Sequence, residues 1–175
     1  MSLITDNLLQ KLWESAQTNP HDKSTSAKLW QHLWNKHLFP ENEWVVSLES
    51  PPVGSGRDLV YIAIEYMGSE ILEGPAVLAF HEAKAPSSSS QDLQEAENHA
   101  YDVCVKYLED HPDFLHMYAF TTFGTEGRAW KCSRSRGHMD PLFGTKDLAE
   151  HSQYIEVHSP EAQSILKVVQ VIKTV

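Results

Sequence analysis

The sequence predicts a single α/β domain, residues 1–175, in which a mixed central β-sheet is flanked by helices. Segments with helical spacing of apolar residues lie at both ends of the chain, and segments rich in β-branched and aromatic residues lie in its middle. An apolar fraction of 41% and five tryptophans are typical of a folded globule with one core. These observations together predict helices packed on a sheet.

Two amphipathic helices are predicted before the sheet, within residues 3–38. The first covers residues 3–17, with Asp6 as its N-cap and a stop at Asn19-Pro20. The second covers residues 26–38, behind a Ser24-Thr25-Ser26 start. We expect the tryptophans of both helices to belong to the core.

Three strands and a long helix are predicted next. The strands cover residues 44–49, 58–67 and 75–85, and the last two are predicted to pair antiparallel as a hairpin. The helix covers residues 91–109, and the serine run before it supplies a cap. The helix is predicted to cross from the third strand to a fourth.

The C-terminal third is predicted to contain two strands, a polar loop, a short strand and a closing helix. The two strands cover residues 114–122 and 127–134, around a Phe123-Gly124-Thr125 turn. Residues 137–152 are predicted to be the loop, and residues 154–157 the short strand. The closing helix covers residues 160–173, with Pro160 in its first turn.

Composition and charge limit the classes of function. A formal net charge of −10 counts against broad, sequence-independent binding to nucleic acid, which depends on Lys and Arg. It leaves room for an enzyme that combines a local basic patch with a divalent metal. No apolar run has bilayer length, and the N-terminus has no secretory pattern, so we expect no membrane association.

The two cysteines, Cys104 and Cys132, are too few for a disulfide framework and are predicted to be buried free thiols. We therefore expect an intracellular protein in a reducing compartment, the cytoplasm or the nucleus.

The strongest chemical pattern is the end of the third strand, where Glu82 and Lys84 flank Ala83. Because side chains alternate along a strand, Glu82 and Lys84 project from the same face. A carboxylate there can bind a hard cation, and the lysine can orient a water or stabilise the charge of a phosphate. A solvated polar strand end is the alternative interpretation.

The strand before it offers a second carboxylate. Asp58 opens this strand, and Glu65, nearer the hairpin, is the rival ligand. Antiparallel pairing is expected to bring one of them close to Glu82. Two neighbouring carboxylates favour Mg²⁺ or Mn²⁺, because the cation offsets their mutual repulsion. For Glu65 the alternative is an ordinary surface glutamate.

This arrangement resembles the PD-(D/E)XK, or restriction-endonuclease-like, nuclease superfamily, over a core of residues 44–134. The likeness is to its RecB-like branch and to uncharacterised fungal proteins with this domain. It implies a Mg²⁺-dependent nuclease that hydrolyses phosphodiester bonds of DNA or RNA. Asp58 and Glu82 would be its metal ligands, and Lys84 would help to activate the attacking water.

The resemblance extends to the helix that follows. RecB-like members have Gln and Tyr four residues apart there, and this chain has Glu97 and Tyr101, with Glu where Gln is usual. The resemblance therefore implies that both support the catalytic site. The chain also departs from the family at Arg57, where Pro often precedes the acidic residue.

A basic stripe in the fifth strand is the predicted nucleic-acid contact. Arg128, Lys131 and Arg134 surround Trp130, and Arg136 follows them. Interleaved cations and an aromatic ring can follow a phosphate backbone and stack on a base. The alternative is a solvated edge strand, on which basic residues discourage aggregation.

The histidines do not have the spacing of a zinc site. His32 and His37 are five residues apart, which does not match the i, i+4 spacing of zinc ligands on a helix, so we expect structural roles for them.

Two other functions stay open besides a nuclease. The first is a catalytically inactive domain of the same fold that acts as a protein-interaction module, with a protein partner or as a homodimer, and it suits the negative charge better. The second is a small-molecule-binding α+β protein.

Overall fold

The strands form one mixed sheet, and helices pack against both of its faces. The computed structural model describes residues 1–49, 60–67, 74–82 and 89–174, and for residues 23, 49, 60–61 and 74–82 it describes the backbone alone. The helices are α1 (Asn7–Thr18), α2 (Lys23–His32), α3 (Ser90–Asp110) and α4 (Gln163–Lys173). The strands are β1 (Trp44–Glu49), β2 (Val60–Tyr66), β3 (Gly74–Glu82), β4 (His116–Phe123), β5 (Glu126–Ser133), β6 (Met139–Pro141) and β7 (Ile155–Glu156).

The strand order is β1-β2-β3-β4-β5-β6, and β7 also pairs with β5. β3 and β4 are parallel, and every other pair is antiparallel. The helix α3 makes the crossover between β3 and β4, as a parallel pair requires. The predicted mixed α/β class, the antiparallel pairing of β2 with β3 and the crossover are confirmed.

Side-chain caps determine where the helices begin. Asp6 Oδ1 accepts hydrogen bonds from the backbone N–H groups of Leu8 (2.8 Å) and Leu9 (2.9 Å), which confirms the predicted N-cap of α1. α1 therefore begins at Asn7 rather than at residue 3, and Leu3 N instead donates to Val157 O at 2.9 Å. Ser89 and Asp92 form a capping box at the start of α3, which confirms a cap from the serine run.

The second predicted helix differs from the observed one at both ends. It begins at Lys23, because Asp22 rather than the serine-rich segment caps it by accepting from Ser24 N at 2.9 Å. After His32 the chain continues as a π-helix, Leu33–Leu38. Leu33 and Trp34 of this segment are fully buried.

The region after β5 also differs from its prediction. Residues 137–152 contain β6, whose Met139 pairs with Cys132 of β5, and the start of a 3₁₀ turn, His151–Gln153, so they are not a plain loop. A second 3₁₀ turn, Pro160–Ala162, precedes α4 and has Pro160 at its start.

Two cores lie on the two faces of the sheet. The larger lies against α1, α2 and α4 and includes Trp30, Trp34, Phe120, Val157 and Ile165. The smaller lies under α3 and includes Ala100, Cys104, Ala119, Trp130 and Cys132. Both cysteines are buried free thiols, as predicted. Within the described residues, no helix combines the length and the apolar character that a membrane crossing requires.

Candidate functional site

The predicted catalytic position Glu82 is the last residue of β3, and its Cα partner is Phe123, the last residue of β4. Glu82 therefore lies at the carboxyl edge of the parallel pair, level with the end of β4. Open α/β sheets bind ligands at this kind of edge. Asp58 and Lys84 lie outside the described residues, and only the backbone of Glu82 is described.

The register of β2 separates Glu65 from this edge. Glu65 pairs with Pro75, which is seven residues before Glu82 in β3. At the rise of an extended strand this is about 23 Å. The expectation that Glu65 could share a metal ion with Glu82 is therefore wrong. Glu65 lies instead near Tyr107 in the C-terminal half of α3. Burial, and then the charge of Glu65, raise the pKa of Tyr107.

Glu97 is the centre of a buried ionic network between α3 and the sheet. Its Oε1 accepts from Tyr154 Oη at 3.1 Å and from Arg128 Nη1 at 3.5 Å, and its Oε2 accepts from Ala149 N at 2.7 Å. Burial raises the pKa of Glu97, against the lowering effect of the Ala149 hydrogen bond and of the Arg128 charge. Both carboxylate oxygens thus have protein donors.

Arg128 holds the loop before β7 from inside the protein. Its guanidinium donates to Asp147 O and to Thr145 O, both at 2.8 Å, and stacks 4.1 Å above the centre of the Trp130 ring. Both Arg128 and Trp130 have an exposed fraction of 0%. The predicted contact of these two residues with nucleic acid is therefore corrected, because neither side chain reaches the surface.

The alternative prediction of a solvated edge strand is also wrong. Two strands, β6 and β7, pair with the free side of β5, so β5 lies inside the sheet. The remaining two residues of the stripe differ from each other. The side chain of Lys131 is half-buried. The side chain of Arg134 is exposed, but its guanidinium is hydrogen-bonded to backbone carbonyls of the protein itself.

Arg134 binds the C-terminal end of α3. Its guanidinium donates to Leu108 O, to His111 O (3.0 Å) and to Phe114 O (3.2 Å). Carbonyl groups at a helix end have no partner within the helix and attract cations. The contacts of Arg134 are therefore those of a helix-capping residue, and its presence needs no nucleic-acid contact to account for it.

Tyr101, four residues after Glu97 on α3, is half-buried and packs against the smaller core. It also lines a shallow pocket of about 280 Å³ with Leu108, Arg134 and Arg136. The structure therefore places Glu97 and Tyr101 in different surroundings, the first in the ionic network and the second at the edge of the core.

A second polar cleft, of about 200 Å³, lies between the N-terminal helices and the β4–β5 turn. Glu156 there accepts from Thr125 Oγ1 (2.5 Å) and Trp13 Nε1 (2.9 Å), and Gln17 Nε2 donates to Thr125 at 2.9 Å. Glu126 of β5 is the cross-strand neighbour of Glu156 in β7. Burial, and then the charge of Glu156, raise the pKa of Glu126, while His151 lowers it.

His32 and His37 lie closer together than their spacing predicts. The π-helix that begins at Leu33 has a wider turn than an α-helix, and the two imidazole rings are 5.4 Å apart. His37 Nε2 is 3.4 Å from Asp6 Oδ2. Across the described part of the chain, no group of three or more His, Cys, Asp or Glu side chains has a geometry that could hold a metal ion.

No local sequence pattern predicts the hydrogen-bond network around Glu97. Tyr154 is 57 residues from Glu97. Thr121, which shares a 2.9 Å hydrogen bond with Tyr154 Oη, lies on β4. No spacing rule connects positions so far apart. Comparison of the chain with protein-family models, with curated proteins and with solved structures gave no match.

Proposed function

We propose that this chain is a metal-dependent nuclease-like domain of the PD-(D/E)XK type, which hydrolyses phosphodiester bonds of DNA or RNA. The observation that carries the proposal is the position of Glu82 at the carboxyl end of β3, beside the parallel strand β4 and before α3. The order of an antiparallel hairpin, a crossover helix and a parallel strand is the order that the resemblance implies.

The pairing of β2 with β3 supports Asp58 as the second carboxylate. Val60 pairs with His81, the neighbour of Glu82. Asp58 precedes Val60 by only two residues in the sequence. Glu65, the other carboxylate of the β2 segment, pairs at the far end of β3.

The donor set fits a hard divalent cation. Asp58 and Glu82 offer carboxylate oxygens, which Mg²⁺ and Mn²⁺ prefer, and the bound cation would neutralise charge on the phosphate. Lys84 would orient the attacking water and offset the negative charge that develops on the phosphoryl oxygens. Glu97 would act from a distance, by fixing α3 against β5 through Arg128.

A protein-interaction module without catalysis is the second candidate. The specific observation in its favour is the loss of the basic stripe, because Arg128 and Trp130 are buried and Arg134 caps a helix. The net charge of −10 points in the same direction.

Thermal unfolding with and without Mn²⁺ tests the metal site. A cation that binds only the folded chain raises the midpoint of unfolding. We expect this increase for the wild type and for Glu65→Gln, the matched control in β2, which pairs with the start of β3. We expect it to disappear in Asp58→Asn and Glu82→Gln. An increase that survives in Glu82→Gln would exclude the proposed ligand set, and no increase in the wild type would favour the interaction module.

A further inference from the structure

The outer edge of β1 has backbone groups that point away from the sheet. Met67 N donates to Glu43 O at 2.7 Å, which makes residues 43 and 67 a hydrogen-bonded pair. Such pairs alternate along an antiparallel ladder, so Val45 and Ser47 are bonded to β2. The N–H and C=O groups of Val46 and Leu48 therefore face outward. Trp44 N also turns away from β2, to Glu41 O at 3.0 Å.

The residues of β1 itself include few of those that usually prevent pairing between proteins. β1 contains no Lys, Arg, Pro or Gly, and its only charged residue is Glu49 at the end. Natural edge strands are commonly blunted by such residues or covered by other elements. Among the described residues, no strand pairs with the outer side of β1. Val45 and Leu48 are 42% and 54% exposed.

We infer that β1 pairs with β1 of a second copy of this chain, antiparallel and about a two-fold axis at Val46. The inference does not depend on the proposed nuclease function. In this register Val46 is opposite Val46 of the second copy, and Trp44 is opposite its Leu48. The hydrogen bonds of this pairing use only backbone groups that face away from β2. The N–H of each Val46 donates to the C=O of Val46 in the other copy. The N–H of each Leu48 donates to the C=O of Trp44 in the other copy.

The apolar side chains of β1 match in the same register, whereas Glu43 comes opposite Glu49 of the second copy and adds to the charge repulsion between the chains. Trp44 lies in an aromatic row, where its ring is tilted against those of Phe39 and Tyr66, with ring centres 4.8 Å and 5.1 Å away. Leu48 of the second copy would extend this row on the face that covers the larger core. A two-fold pairing uses the same surface of both copies, so one apolar strand satisfies both sides.

The chemistry of the edge favours a second copy over a charged peptide. The strand has no cation to recruit an acidic segment and only one terminal carboxylate to recruit a basic one. Two chains with a net charge of −10 each repel one another, so we expect salt to strengthen the dimer. The short strands make a small interface, so the dimer should depend on concentration.

Two variants test the edge directly. Val46→Pro removes an outward N–H that β2 does not use, and proline is tolerated at such edge positions. Leu48→Lys places a charge on an exposed residue of the edge. Leu115→Lys is the matched control, because Leu115 is 74% exposed and lies outside β1. Circular dichroism shows whether each variant is folded, and if Val46→Pro is not, Leu48→Lys carries the test.

Sedimentation equilibrium over a range of protein and salt concentrations gives the result. We expect twice the chain mass for the wild type and Leu115→Lys at high concentration, and at least a tenfold weaker dimer for the edge variants. Amide exchange at Val46 and Leu48 should slow as the wild type is concentrated. A wild type that is monomeric at every concentration, or a dimer that both edge variants retain, would overturn the inference.

Discussion

The Oε1 atom of Glu97 and the Nη1 atom of Arg128 lie 3.5 Å apart, and their side chains are 2% and 0% exposed. This ion pair joins α3 to β5 from inside the protein. A buried charge without its partner is strongly unfavourable, because water no longer solvates it. The packing of α3, the helix that follows the proposed catalytic edge, therefore depends on the carboxylate of Glu97.

Glu97→Ala is expected to lower the free energy of unfolding by about 3–5 kcal/mol, since it leaves Arg128 buried without its counter-charge. Urea denaturation measures this change. The control is Lys106→Ala, which removes an exposed ion pair with Asp110 (3.5 Å) and should cost no more than about 0.5 kcal/mol. Equal losses in the two variants would show that the buried pair has no special role.

Glu126→Gln is expected to stabilise the protein near neutral pH. Burial and the charge of Glu156 raise the pKa of Glu126, so the folded state favours its neutral form. Stability from this group is therefore complete below its ordinary pKa of 4.5 and is lost as the pH rises through the raised value. Melting curves should show a higher midpoint for the variant at about pH 7 and no difference at about pH 4. The opposite pH trend would contradict this assignment.

Arg134→Ala is expected to destabilise the protein by about 1–2 kcal/mol, because carbonyls at the end of α3 lose a charged donor. Arg136→Ala is the matched control. Arg136 forms an exposed pair with Asp140 at 2.9 Å, so its loss should stay within about 0.5 kcal/mol. If Arg134→Ala instead left stability unchanged and reduced nucleic-acid affinity, the original interpretation of the basic stripe would be restored for this residue.

Gly127→Ala is expected to destabilise the protein by about 1–3 kcal/mol. A Cβ at this position would lie 2.7 Å from Cη2 of Trp30, a fully buried side chain that cannot move aside. The same substitution at Gly137 meets nothing within 4 Å and is the control. Unfolding in urea compares the two. Similar stabilities would mean that Trp30 repacks freely.

Local patterns predicted most of the secondary structure. Asp6 capped α1, the serine run capped α3, and the β-formers of residues 44–49 marked β1 at its observed bounds. These features depend on neighbours in the chain, which the sequence shows directly.

The errors arose where distant segments meet. The sequence predicts a polar loop for residues 137–152. It also predicts that the cations around Trp130 are a nucleic-acid contact, with a solvated edge strand as the alternative. Because β6 and β7 pair with β5, Arg128 and Trp130 lie in the core instead. The partners of Arg128, the carbonyls of Thr145 and Asp147, have no sequence pattern at all.

Cleavage of labelled single-stranded DNA, double-stranded DNA and RNA in the presence of Mg²⁺ or Mn²⁺ tests the central claim most directly. Wild-type protein and Glu65→Gln should cut at least one of these substrates, and chelation of the metal should stop the reaction. Glu82→Gln should lose the activity while it keeps the wild-type melting midpoint in the absence of metal. Undiminished cleavage by Glu82→Gln, or no cleavage by the wild type with any of the substrates and metals, would contradict the account of a catalytic site at the end of β3.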